Sequence, residues 1–284
     1  MTRRTSHNKS CHASTQAVSR SNECARIVHI AALTLLMLFF LLGCKPKVKP
    51  IDLNEDSESN LGHWGRAMSA LQISQMGGDP LWFGGRVQPD NTALLTLLET
   101  DYHVTDRETL LRQMNYSLRF GAREDYHYHI DALTALLELP DEERETALEP
   151  LSQEDRLFYE LVEYNYEKWG EQGVLGWDMA RMSLLSQLGY SAGLLSREEA
   201  QAAIEPGAYI VRQYFSSFAS FCDNVVDGEA LYRRTAVEDP QGAVATLTAL
   251  RAQLAEDHGD MLYRDALFSE GIVPLEGTSF SDFM

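Results

Sequence analysis

Trp177, Asp178 and Arg181 lie within a little over one turn of a strongly apolar stretch, residues 175–188. A carboxylate and a guanidinium three residues apart on a helix are close enough to pair. Two readings stand. In one, Asp178 and Arg181 form a polar cluster at the mouth of a pocket, with Tyr190 or Glu199 nearby, and the pocket holds a small molecule. In the other, the two make an ion pair that fixes the helix against residues 189–196, and Trp177 is a core anchor. A second grouping, Asp125-Tyr126-His127-Tyr128-His129-Ile130-Asp131, carries side chains that could ligate a metal. On an extended strand His127 and His129 would share a face. On a helix their i,i+2 spacing points them apart. The segment reads as entering a helix, so the expectation is a polar helix start with aromatic packing; no metal and no other cofactor is implied. The chain has no Walker loop, no His-Glu-x-x-His and no Gly-x-Gly-x-x-Gly, and Ser216 and Ser217 have no activating context. An enzyme is therefore not the leading expectation. Cys222, near Phe218 and Phe221, reads as a buried, inert thiol.

The four cysteines are Cys11, Cys24, Cys44 and Cys222, with no CxxC pair. Residues 1–26 are polar and basic; residues 27–42 are apolar except for His29 and Thr34. A basic flank, an apolar run and a small residue before the cut describe a secretory signal. A membrane span needs roughly 20 apolar residues, and this run is shorter. Leu41-Leu42-Gly43-Cys44 resembles the lipobox of bacterial lipoproteins. That resemblance implies a diacylglyceryl thioether on Cys44, cleavage before it, and an acylated new amine; residues 1–43 would be the removed leader. A chain lipidated at Cys44 retains Cys222 alone in its body, so no intramolecular disulfide is expected. Lys45, Lys47 and Lys49 alternate with Pro46, Val48 and Pro50, an extended spacer with positive charge near headgroups. Residues 44–59 read as the anchored linker. A Lys rather than an Asp after the cysteine favours the outer over the inner membrane of a Gram-negative envelope.

The elements that position these residues are helical. Residues 60–76 carry apolar side chains at helical spacing. Short apolar residues 91–99 follow a glycine- and aromatic-rich loop. Thr105-x-x-Glu108 predicts a capping box and a helix to Phe120, ended by Gly121. Further helices are predicted over 126–139, after Ser152, and over 175–188 with Gly189 as the stop. Ser196-x-x-Glu199 predicts another capping box. Pro206 and Gly207 are expected to interrupt that helix, with Ala208–Phe221 carrying on beyond. Asp239-Pro240 predicts the start of a last long helix. No alternating pattern demands a sheet. The expectation is an all-α domain of about eight to ten irregular helices over residues 60–284.

Within residues 176–228, Trp177-Asp178-x-x-Arg181 is followed by Gly189-Tyr190-x-x-Gly193, then Ser196-x-x-Glu199-Ala200, then Phe215-x-Ser217-Phe218 and Gly228. This order resembles the bacterial domain of unknown function numbered 1266, with Phe218 where that family carries Trp. The helix from Trp64 and residues 98–121 are similar to the family's N-terminal half. The resemblance implies a helical fold and no activity.

The formal net charge is −18. Residues 1–43 carry +4, so the body without them carries −22. Such a surface repels phosphate backbones, and nucleic acid is not an expected partner. Membrane attachment through a lipid, plus a helical module that binds a protein or another envelope component, is the leading functional expectation. The alternative is a small-molecule binding protein or enzyme with its pocket near Trp177, Asp178, Arg181 and Tyr190. A third reading is an immunity-type factor whose acidic face masks a basic partner.

Overall fold

A computed structural model describes residues 59–87, 90–235, 242–277 and 279. The chain divides into two units, Met1–Pro50 and Ile51–Met284, and all described residues belong to the second. The domain is all-α, with no strand among the described residues.

One helix organises the rest. It is α7, Leu175–Ser191, and α1 (Asn60–Gln75), α2 (Asn91–Tyr102), α3 (Arg107–Arg119), α8 (Arg197–Tyr214) and α9 (Phe218–Arg233) all pack on it. From Leu175 to Gly189 every residue except Arg181 is buried. A helix buried on all sides must satisfy its polar groups internally. Ser183 Oγ donates to Gly65 O at 3.0 Å, and Ser186 Oγ to Ala200 O at 2.5 Å. Gln187 donates from Nε2 to Gly65 O at 2.9 Å and accepts from Gly84 N at 3.0 Å. These bonds tie α7 to α1, to α8 and to the loop after α1. Around this centre lie α4 (Arg123–Leu137), α5 (Asp141–Leu148), α6 (Gln153–Trp169), a 3-10 turn at Gly170–Gln172, α10 (Ala243–Leu262) and α11 (Asp265–Glu270).

Several boundaries differ from the sequence expectation, each for an identifiable physical reason. The capping box of α3 is Asp106 with Thr109, not Thr105 with Glu108. Asp106 Oδ1 accepts from Thr109 N at 2.8 Å while Thr109 Oγ1 accepts from Asp106 N at 3.0 Å. Helix α4 starts at Arg123, earlier than Tyr126, because Asp178 caps its first amides. Helix α7 runs through Gly189 to Ser191; Gly189 is a close approach to Leu110, and the left-handed turn comes at Gly193, φ +74°. Helix α8 continues through Pro206. An interior proline costs about 3 kcal/mol, but Ala200, Ala203, Ile204, Gly207, Ala208 and Val211 are all buried along this helix, and that burial outweighs it. The real break falls at Phe215, whose backbone is extended, before Ser217 caps α9. The predicted Asp239-Pro240 start lies outside the described residues. The C-terminal segment lies across the start of α1: Asn60 Nδ2 and Trp64 Nε1 donate to Gly271 O at 3.2 and 3.4 Å.

The α7–α9 crossing is set by Gly228. A Cβ there would collide with the Trp177 Cβ and press on the Val174 Cβ, atoms close to the backbone with no room to rotate away. Gly228→Ala is therefore expected to lower unfolding free energy by about 1–3 kcal/mol through overpacking. Urea denaturation checks this; an unchanged midpoint would show that the crossing is more pliable than its packing indicates.

Candidate functional site

A cleft of about 560 Å³ opens where α1, α2, α7 and α9 meet. Gln72, Gln75 and Met76 come from the last turns of α1, and Leu97, Asp101 and Tyr102 from α2. Trp177, Arg181 and Leu184 rise from α7, spaced four and three residues apart and so on one face. Glu229, Tyr232 and Arg233 complete the wall from α9.

The local folding that positions each group is explicit. Tyr102 ends α2, and His103 turns the chain away in a left-handed conformation, φ 56°. Trp177 stacks on Tyr232 with centroids 4.4 Å apart and an interplanar angle of 30°. Its Nε1 donates to Glu229 Oε2 at 2.9 Å, so the indole is held at both its face and its edge. Arg233, one turn after Glu229, donates to the other carboxylate oxygen. The Arg181 guanidinium lies 5.2 Å from the ring centre of Tyr102 and 5.3 Å from those of Trp177 and Tyr232. Three π-faces around one cation are mutually reinforcing. Burial raises the Tyr102 hydroxyl above its ordinary pKa, and the nearby Arg181 charge pulls it part of the way back.

Of the five residues singled out in sequence, the cleft gathers two, Trp177 and Arg181. Asp178 does not line the cleft and is fully buried. Its partner is Arg123, at 2.9 Å, and not Arg181. Its oxygens also accept from Ala122 N at 2.7 Å and Arg123 N at 3.2 Å. The expected pairing of Asp178 with Arg181 is thus corrected: the two are helix neighbours, but Arg123 and the Ala122 and Arg123 amides at the start of α4 take up the Asp178 carboxylate. Burial lifts the Asp178 carboxyl to about 6, while Arg123 and the amides draw it downward. Tyr190 packs on Phe83, centroids 5.5 Å apart. Glu199 completes the Ser196 cap and pairs with Arg107 at 2.9 Å on the surface, an exposed bond of small energetic weight.

No serine nucleophile elbow is expected from the sequence, yet residues Gly189-Tyr190-Ser191-Ala192-Gly193 have its Gly-x-Ser-x-Gly spacing. The elbow requires a strand-to-helix turn that exposes the hydroxyl. Ser191 is instead the last residue of α7, and its Oγ donates to Gly84 O at 2.8 Å. That arrangement anchors a loop and offers no activated nucleophile. His127 and His129 both lie on α4. His127 Nε2 is 2.9 Å from Glu171 O, and His129 packs edge-on to Phe158 and Tyr159. Among the described residues no group of three His, Cys, Asp or Glu could hold a metal ion. Cys222 is buried, and burial pushes its thiol up to about 12. Among the described residues no helix is long and apolar enough to cross a membrane. Cys44 and the expected leader, residues 1–43, lie outside the described residues.

A family model described as a protein of unknown function, DUF1266, matches residues 97–265, more than half of the chain. The chain belongs to the DUF1266 family. No curated protein and no solved structure matches it. The DUF1266 stretch contains Leu97, Asp101 and Tyr102 of α2 and the cleft residues of α7 and α9. Gln72, Gln75 and Met76 precede it. The cleft is thus a DUF1266 surface closed on one side by α1.

The polar and aromatic wall residues that sequence reasoning missed are Gln72, Gln75, Asp101, Tyr102, Glu229, Tyr232 and Arg233. Glu229 and Arg233 carried a legible signal, an i,i+4 acid–base pair on one face of α9. Gln72 carried a fainter one, a lone amide on the apolar stripe of α1.

Proposed function

We propose that this DUF1266 chain is a lipid-anchored envelope protein that binds a small ligand in the cleft between α1, α2, α7 and α9. The observation that carries the binding part is the cleft itself. Its size is that of a small-molecule site, roughly 300–1,000 Å³, and its wall is about half polar, with Gln72, Gln75, Asp101, Arg181, Glu229 and Arg233 set among apolar and aromatic side chains. The anchor part rests on the Leu41-Leu42-Gly43-Cys44 sequence.

The cleft shifts the weight from a protein-binding module to the small-molecule alternative. Protein docking would call on exposed rings such as Tyr116 and Phe120, whose centroids are 6.0 Å apart. Tyr116 is held at its hydroxyl by Gly121 O, at 3.3 Å, and scattered exposed rings of this kind are ordinary on monomeric surfaces. The geometry around Ser191 and the histidines favours binding without chemistry.

The test uses the full chain in detergent micelles and a fragment set of anionic, neutral and cationic small molecules, read by ligand-observed NMR. Gln75→Trp adds bulk at the rim from a half-buried position. Hits that disappear in Gln75→Trp are expected. If the set yields no hit, or only hits indifferent to Gln75→Trp, the cleft is not a binding site and the reading falls.

A further inference from the structure

We infer that the cleft selects a small carboxylic acid with an aromatic body and a hydrogen-bond donor of its own, its carboxylate meeting Arg181 and its donor meeting Gln72. The inference rests on the cleft being a binding site and adds the chemistry of what enters it.

Four charged side chains line the cleft: Asp101, Arg181, Glu229 and Arg233. Glu229 and Arg233 neutralise each other, and Glu229 is occupied further by the Trp177 indole. Asp101 is exposed. Arg181 is different. It is half-buried, and it makes no hydrogen bond and no ion pair with any described residue. Its contacts are the three rings of Tyr102, Trp177 and Tyr232. Contact with ring faces leaves the five N–H donors of a guanidinium unspent, since these lie in its plane. A fixed, planar fork of donors facing a cleft is matched by a planar two-oxygen acceptor, which is the geometry of a carboxylate.

Gln72 is the second and independent observation. It is 7% exposed and lines the same cleft. Its buried Oε1 has no hydrogen-bond partner. A buried acceptor without a donor is costly to leave so, and a ligand hydroxyl or amine relieves it once the Gln72 side chain turns its amide into the cleft. The apolar share of the wall, Leu97, Leu184 and the face of Tyr232, suits a flat ring between the two polar ends.

The probes are 4-hydroxyphenylacetate, its neutral analogue 4-hydroxyphenylacetamide, phenylacetate without the hydroxyl, and inorganic phosphate. Each is titrated into the full chain in micelles by calorimetry. The carboxylate is expected to bind about tenfold or more tightly than the amide, a difference of the size a charge-assisted bidentate bond supplies. Phenylacetate is expected to be several-fold weaker. Arg181→Gln should erase the preference for carboxylate over amide, and Arg181→Lys should restore part of it by charge without the fork. Far-ultraviolet circular dichroism of both variants shows whether the fold is kept, and the amide's affinity in them serves as an internal control. If carboxylate and amide bind equally and both are lost in Gln75→Trp, the cleft binds ligands but the carboxylate assignment is overturned. Phosphate binding as tightly as the carboxylate overturns it too, in favour of a general anion site. So does binding by none of the four, while the fragment set then decides the fate of the cleft itself.

Discussion

Asp178→Ala is expected to destabilise the domain by about 3–5 kcal/mol, the cost of breaking one partner out of a buried ion pair. The reason is the number of groups that depend on this carboxylate. It accepts from Ala122 N, Arg123 N and Arg123 Nη1, and it is fully buried. Without it, the first amides of α4 lose their cap. The Arg123 guanidinium, 12% exposed, keeps its bonds to Ser117 O and Leu118 O but loses its counter-charge. A whole domain is stable by about 5–15 kcal/mol, so this one change brings the fold near its limit. Equilibrium unfolding in urea at pH 7 measures it, and a loss under about 1 kcal/mol would contradict the structural role.

Asp178 also carries a pH dependence whose sign is fixed by its surroundings. Its folded pKa is raised to about 6 from an ordinary value of 3.8. A raised acid pKa means that the folded chain holds the proton more tightly than the unfolded one. The stabilisation is fully present below pH about 4 and is lost as pH rises through 6. The span corresponds to about 3 kcal/mol at 1.36 kcal/mol per unit. Asp178→Asn lacks this titration. The wild-type advantage over Asp178→Asn is therefore expected to be largest near pH 4 and to shrink toward pH 7. Comparing the two chains cancels the other carboxylates, and a gap that widens with pH would show that Arg123 dominates over burial.

Cys44→Ser is expected to produce the largest biochemical change, because it removes the atom on which the proposed anchor depends. Fatty-acid labelling should fall to background. Residues 1–43 should remain attached, since cleavage in the lipoprotein pathway follows lipidation, and intact mass should rise by the leader and fall by the acyl groups. Each buried methylene contributes about 0.8 kcal/mol of membrane affinity, and two or three chains hold where one does not. Unchanged labelling and unchanged mass in Cys44→Ser would remove the anchor from the account and leave the cleft untouched. The two halves of the proposed function can thus fail separately.

How far each feature was legible depends on how local its cause is. The helices were readable because apolar periodicity, N-caps such as Ser152 and Ser196, and glycine stops act within a few residues of themselves. The boundaries that shifted did so where distant packing overrode a local signal: Pro206 inside α8, Gly189 inside α7. Trp177 and Arg181 could be singled out because a large aromatic and a cation one turn apart are visible in one helix. Their companions could not, because Gln72, Tyr102 and Tyr232 lie on three other helices and look like ordinary surface or core residues alone. The missed partner of Asp178 has the same origin. Position 181 is adjacent in sequence, but position 123 is adjacent in space.

The amino-acid order by itself determined an all-α body of the DUF1266 type, strongly acidic, preceded by an apolar run and Cys44. Those properties follow from composition, from the 3.6-residue period and from short contiguous motifs. Tertiary structure alone decided that Arg181 faces a cleft among three rings while Asp178 caps α4 and pairs with Arg123. The physical reason is that a guanidinium or a carboxylate takes its role from the charges and donors within hydrogen-bond reach, and folding brings those from far along the chain.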